Sequence, residues 1–267
     1  MNLNNYSPLA FYDSLEEQTC RRKYAYGEVY PLYVHTGKIM PFQFCVGSNG
    51  NSISSVLVVD FNTGASVNVT SSITITKKAF TGYDVFVCRG QALDAISHEG
   101  RWYLQINVSN TGVETIYSEV FTAVGDTSGY LKIEWSDKQD LVMDGSSIVY
   151  QISGQVMYHH EVYLDTQLGM PDYDFEEEGE TRDGLFFPEK MISEKTYKFS
   201  FLAPEYLLDA MRFIRMSDTV KVTDWTGNSY TCDTFLMTPK WQAPGFLAGV
   251  DAEFQTMAVA KKIGRSY

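Results

Sequence analysis

The sequence predicts a mainly β chain: an N-terminal Ig-like β-sandwich domain followed by a C-terminal β-barrel or sheet domain with one α-helix. Three observations carry this. Trp102–Val108 and Thr115–Val124 are alternating runs flanking a Ser-Asn-Thr-Gly turn, which is how a β-hairpin with one buried face is written. Eighteen Tyr and 16 Phe in 267 residues suit pleated, half-buried surfaces better than helices. Short apolar runs separated by Gly, Asn and Ser turns recur along most of the chain.

The elements follow in order. Residues 1–28 lack alternation, carry Arg21, Arg22 and Lys23, and are expected to form an N-terminal arm. Strands are expected at Val29–His35, Pro41–Val46, Ser55–Phe61, Ser66–Thr70, Ile73–Lys77, Tyr83–Arg89 and the hairpin 102–124, so that 29–124 forms the sandwich. A second β-rich unit over 125–267 is expected to use Tyr130–Trp135, Ser146–Tyr163, Lys195–Phe201, Val220–Asp224, Ser229–Leu236 and Val250–Val259, with Thr226-Gly227-Asn228 as a tight turn. The helix spans about 204–216. Pro204 suits its first position, Glu205 and Asp209 favour its N-terminal dipole, and Leu207, Met211 and Ile214 share a face.

Charge is unevenly placed. The formal charge is −12, which argues against a surface that neutralises phosphates. Between Glu161 and Glu189 there are ten acidic residues against Arg182 alone, and this stretch, about 161–190, is expected to be an acidic insertion. Cys20, Cys45, Cys88 and Cys232 show no CxxC pair and are expected to be reduced. The N-terminus has neither a charged n-region nor an apolar h-region, and no run reaches the ~20 apolar residues of a membrane span.

Chemistry has little foothold. Asp172, Asp174, Glu176, Glu177 and Glu178 offer oxygens of the kind calcium prefers, without the order of a known calcium loop. As a glycosidase pair they would need a defined separation across a sugar, whereas a run this polar fits a solvated loop or a subunit contact. His159 and His160 are adjacent, so on a strand they face opposite ways and do not serve one ion. Nucleophile motifs of the GxSxG kind and Gly-rich phosphate loops are absent. Trp102, Tyr103, Trp135, Trp225 and Trp241 raise the alternative of a carbohydrate-binding module or adhesin; Trp102 and Tyr103 are neighbours, so at least one belongs in the core.

The pattern Gly-Arg-Trp-Tyr-Leu-Gln-Ile … Tyr-Ser-Glu-Val-Phe over 100–121, with Tyr197-Lys-Phe-Ser-Phe-Leu-Ala-Pro-Glu-Tyr-Leu-Leu-Asp-Ala-Met211 and Ser217-Asp-Thr-Val-Lys-Val-Thr-Asp224, resembles virion structural proteins of tailed bacteriophages and prophages of gut Bacteroidetes, of the crAss-like type. It covers roughly residues 30–263. The resemblance implies a non-enzymatic tail, hub, ring or baseplate component without a cofactor, assembled in the host bacterial cytoplasm into the virion as a homo-oligomeric ring that touches neighbouring virion proteins. A ring repeats one contact around an axis and needs extended edges and arms. Candidate subunit contacts are Arg21, Arg22 and Lys23 in the arm, Asp172, Asp174, Glu176, Glu177 and Glu178 in the insertion, and Lys261 and Lys262 in the tail.

Overall fold

The computed structural model describes residues 7–19, 32–47, 50–110, 112–136, 141–143, 147–149, 159–241 and 247–262, and they are mostly β. The N-terminal half contains β1 (Phe11–Tyr12), α1 (15–19), β2 (Tyr33–His35), β3 (Lys38–Gly47), β4 (Ser52–Asp60), β5 (Ser66–Asn68), β6 (Ile75–Phe80), β7 (Tyr83–Ala92), β8 (Gly100–Ser109), β9 (Val113–Ser118) and β10 (Phe121–Val124). Strand β8 organises the larger sheet. Trp102, Leu104, Ile106 and Val108 are buried while the residues between them are half-exposed, the period-2 signal of a strand with one dry face. It pairs antiparallel with β4 on one edge and with β9 and β10 on the other. Parallel β2 beside β10, β1 beside β9 and β5 beside β4 complete seven strands.

Across the core lies the three-stranded sheet β3-β7-β6. Phe11 of β1 meets Phe44 and Phe42 of β3 with ring centroids 4.9 and 5.4 Å apart, and Phe44 stacks on Phe86 of β7 at 5.2 Å. Eight consecutive residues of β3, Ile39 to Val46, are buried, so this strand is covered on both faces. In β7, Gly90 has φ +77° and a Cβ there would come within 2.8 Å of the Pro41 ring, so the position admits only glycine.

Two local departures from the sequence expectation have physical causes. Part of the expected arm is core: Leu9, Ala10, Phe11 and Tyr12 are buried, and β1 pairs with β9. Four apolar residues fill the sandwich but are too few to show alternation. The expected continuous run 115–124 breaks into β9 and β10 at Glu119, a buried carboxylate. Tyr12 donates its hydroxyl to Glu119 Oε2 at 2.7 Å, the Val120 N–H donates to Oε1 at 2.8 Å, and the Glu119 N–H donates to the Ala10 carbonyl at 2.7 Å. Hydrogen bonds are what make a buried carboxylate tolerable.

The C-terminal half contains β11 (Leu131–Ser136), β12 (Leu141–Met143), β13 (Ser147–Val149), β14 (His159–Leu164), β15 (Asp172–Arg182), β16 (Leu185–Pro204), α2 (Glu205–Met211), a 3₁₀ turn (Ile214–Met216), β17 (Thr219–Thr223), β18 (Ser229–Trp241), β19 (Leu247–Thr256) and β20 (Val259–Lys262). Among the described residues β12 and β13 pair only with each other, and the rest form one antiparallel sheet in the order β14-β11-β17-β18-β19-β16-β15, with β20 also on β16. Its end strands β14 and β15 do not pair, so the sheet is open among the described residues. The chain crosses between them instead: Thr166 Oγ1 donates to the Ser200 carbonyl at 2.6 Å and the Gly169 N–H to the Lys198 carbonyl at 2.8 Å.

One face of this sheet is dry. Leu131, Ile133, Trp135, Val162, Leu164, Tyr197, Phe199, Phe201, Val250 and Phe254 are buried, and Leu207, Met211 and Ile214 are buried with them, as their helical spacing predicts. Pro204 caps α2 in an extended conformation, one position before its expected place. The buried apolar residues form one cluster from Leu9 to Phe254, and Tyr33 meets Tyr130 at 4.6 Å. Gly125 lies between β10, in the seven-stranded sheet, and β11, in the eight-stranded one.

Phe254 is fully buried and Phe175 is 64% exposed. Phe254→Ala is expected to lower unfolding stability by about 3–5 kcal/mol. Phe175→Ala is expected to change it by less than about 0.5 kcal/mol, both read by urea denaturation followed through tryptophan fluorescence.

Candidate functional site

The 20-residue strand β16 is the element that positions the charged residues. Residues 196–204 pair with β19, and Tyr197, Phe199, Phe201 and Ala203 turn into the core. Residues 185–196 pair with β15, while Lys190–Ser193 pair with β20 on the opposite edge. Beyond Thr196 the sheet therefore continues as a three-stranded blade. Its tip is the two-residue connection Asp183-Gly184, with φ +50° and +82° between the paired residues Arg182 and Leu185. Positive φ at both central positions is the two-residue hairpin turn whose twist matches the strands, and Asp-Gly is a favoured sequence for it.

The expected acidic insertion over about 161–190 is thereby corrected. His159–Leu164 is the body strand β14, and Asp172–Arg182 is a strand of the blade rather than a loop. A projecting strand has no dry face, so carboxylates occupy positions where a half-buried strand would show apolar residues, and the alternation survives only at Tyr173 and Phe175. Pro188 faces Gly179 where the β15 register shifts, a bulge that accommodates a residue with no N–H.

Seven of the ten candidate contact residues come together on this ladder. Asp172, Asp174, Glu176, Glu177 and Glu178 lie on β15, and Lys261 and Lys262 on β20. Glu177, Met191 and Lys261 share one rung; Glu178, Lys190 and Lys262 share the next. Arg21, Arg22 and Lys23 lie outside the described residues. Among the described residues, two of these carboxylates form ion pairs, Lys198 Nζ lying 2.6 Å from Asp172 Oδ2 and Lys190 Nζ 3.3 Å from Glu178 Oε2, and Asp174 Oδ1 accepts from the Phe175 N–H at 2.8 Å.

The blade also exposes apolar side chains that sequence reasoning did not select. Phe175, Ser193 and Val259 form a rung, and Tyr173 shares the face of Phe175; Tyr173, Phe175 and Val259 are 60%, 64% and 71% exposed. Lys195 lies over the Tyr173 and Tyr197 rings at 5.7 and 4.8 Å, with its ammonium raised above its usual pKa first by the Tyr197 hydroxyl. Alternating Tyr and Phe within the acidic run was the available signal.

The opposite face of the body sheet is polar. Asp251 of β19 accepts from Lys240 Nζ at 2.5 Å and Ser200 Oγ at 2.8 Å, which hold its carboxyl below the usual range. At the root of the blade a cleft of about 750 Å³ is lined by Asp172, Asp174, Lys198, Arg215 and Asp218, among others. Among the described residues, no group of three or more His, Cys, Asp or Glu side chains is placed to hold a metal ion. His160 is buried and stacked on Trp135 at 5.3 Å.

Trp102 and Trp135 are core residues. Trp225 and Trp241 are half-exposed, but one precedes β18 and the other ends it, so the tryptophans present no row on one face. Cys45, Cys88 and Cys232 are free thiols, and Cys20 lies outside the described residues. Burial pushes Cys45 and Cys88 up to about 11 and Cys232 to about 12, so all three are protonated and poor nucleophiles at neutral pH. No helix among the described residues is long and apolar enough to cross a membrane.

No family model matches the chain, and no curated protein matches it. Among solved structures, a chain of the crystal structure of Dpr2 Ig1-Ig2 in complex with DIP-Theta Ig1-Ig3 is 8% identical, covering 88% of this chain and 94% of that one with a TM-score of 0.16, a likeness that carries no argument.

Two predictions follow from these environments. Iodoacetamide at neutral pH is expected to label Cys45 and Cys88 far more slowly in the folded protein than in urea, read by mass spectrometry of the peptides. The Asp251 carboxyl is expected to titrate below the usual value of about 3.9. Because its folded pKa is lowered, its contribution to stability is present above the unfolded value and is lost as pH falls through the folded one. In a carboxyl NMR titration Lys240→Ala should move that midpoint upward; an unmoved midpoint would remove Lys240 as the cause.

Proposed function

We propose that the chain is a structural subunit of a tailed-phage particle, a tail, hub, ring or baseplate component that forms a symmetric oligomer and binds neighbouring virion proteins. The observation that carries this is the blade: a long hairpin with a third strand on its other edge, standing beyond the packed sheet with charged and aromatic side chains exposed. Ordering such a blade in water costs conformational entropy that its own contacts repay poorly, and exposed aromatics grouped on one face are the mark of a surface that meets another protein. The sequence resemblance to virion proteins supplies the particle. The work is mechanical, with the body as a rigid base and the blade as the connector.

Light scattering with negative-stain imaging tests this. The purified protein is expected to form a discrete, closed assembly at micromolar concentration and to dissociate as salt rises, because exposed charges are screened beyond about 8 Å at 0.15 M ionic strength and within about 3 Å at 1 M. A single-chain mass at every concentration and salt would contradict the proposal.

A further inference from the structure

The two outer strands of the blade carry opposite charge. The sequence of β15 contains Asp172, Asp174, Glu176, Glu177 and Glu178, and that of β20 contains Lys261 and Lys262. Each pairs with β16 on one side only, so among the described residues each has an outer edge of unpaired backbone N–H and C=O groups. Open edges are templates for another strand, and charge on them decides which strand is admitted.

We infer that the partner of the blade is a second copy of this chain, joined edge to edge, with β15 of one copy beside β20 of the next. This rests on the ring-forming function proposed above and names the contact that builds the ring. Three features of the chain select that pairing. Like edges repel: two acidic β15 strands side by side, or two basic β20 strands, place like charges opposite one another, which disfavours the two-fold contact in which a surface meets itself. Unlike edges attract, and a heterologous contact of this kind propagates around an axis until it closes.

Direction also agrees. β15 and β20 both run antiparallel to β16, so they point the same way, and rotation about an axis along the blade preserves that direction. The junction is thus a parallel ladder, and each copy adds three strands to one continuous sheet. Height agrees as well: Glu177 and Lys261 share a rung, so rotation with little translation sets Lys261 of one copy beside Glu177 of the next. The acidic run from Asp174 to Glu178 spans the stagger that closing a sheet requires. In the closed sheet the exposed Tyr173, Phe175 and Val259 come onto one surface, where neighbouring copies cover them.

Charge exchange tests the pairing. In Glu176→Lys/Glu177→Lys β15 loses its acidic centre; in Lys261→Glu/Lys262→Glu both edges are acidic. By mass photometry each variant alone is expected to lose the assembly and run at single-chain mass. An equal mixture of the two is expected to assemble, because each copy then meets edges of opposite sign. A chain carrying all four substitutions is expected to assemble alone. That rescue cannot come from misfolded protein, so it separates a pairing effect from a folding defect. If both two-site variants assemble with wild-type mass, edge pairing is overturned while the ring-forming function stands. If mixture and four-site chain stay at single-chain mass, the pairing is likewise overturned. If the wild-type protein itself never assembles, the ring-forming function falls, and the pairing with it.

Discussion

Strand β16 must satisfy two environments in one unbroken ladder. From Thr196 onward its alternate residues are aromatic and buried, held between β19 and the helix α2; before Thr196 the same backbone runs out of the core with strands on both edges and solvent on both faces. A continuous strand fixes the direction and register of everything hydrogen-bonded to it, so the packing of Phe199 and Phe201 orients residues more than ten positions away. The blade owes its aim to the core it grows from. A loop of the same length and charge would reach as far but would not hold Glu177, Met191 and Lys261 on one rung.

The core that anchors β16 is continuous through both halves. Burying β3 on both faces and filling the sheet interior from α2 gives the blade a rigid base, since close-packed interiors transmit strain rather than absorb it. Two carboxylates caught in that interior are held by hydrogen bonds. Glu119 is bridged by Tyr12 and the Val120 amide; Asp84, fully buried, accepts from the Asn51 N–H at 2.8 Å and the Asn51 amide at 2.9 Å. These pairs tie residues far apart in sequence and fix how the strands meet, which apolar contacts alone specify less sharply.

How much of this was legible depended on whether a strand has one dry face. β8 was read from sequence because Trp102, Leu104, Ile106 and Val108 alternate with polar residues, and α2 because Leu207, Met211 and Ile214 repeat at helical spacing. β15 was hidden because neither of its faces is dry. Its turn was nonetheless written in plain form as Asp183-Gly184, and joining that signal to the alternation of Tyr173 and Phe175 would have turned the loop into a hairpin. β1 was hidden by brevity, and the break at Glu119 by a partner, Tyr12, that lies 107 residues away. The candidate contacts were legible as charge, but their meeting on one ladder depended on β20 pairing with β16, which no local pattern encodes.

Hydrogen–deuterium exchange by mass spectrometry, resolved along β16, tests the central claim most directly. If β16 is one strand with two environments, amides of 197–204 exchange slowest, near the global unfolding limit, while amides of 186–195 exchange faster yet far more slowly than an unstructured peptide, and those of Asp172–Glu178 slow further when copies assemble. Exchange of 172–195 at the rate of an unstructured peptide, in the assembled protein as in the dilute one, would contradict the account, because the charged residues would then have no ladder to hold them.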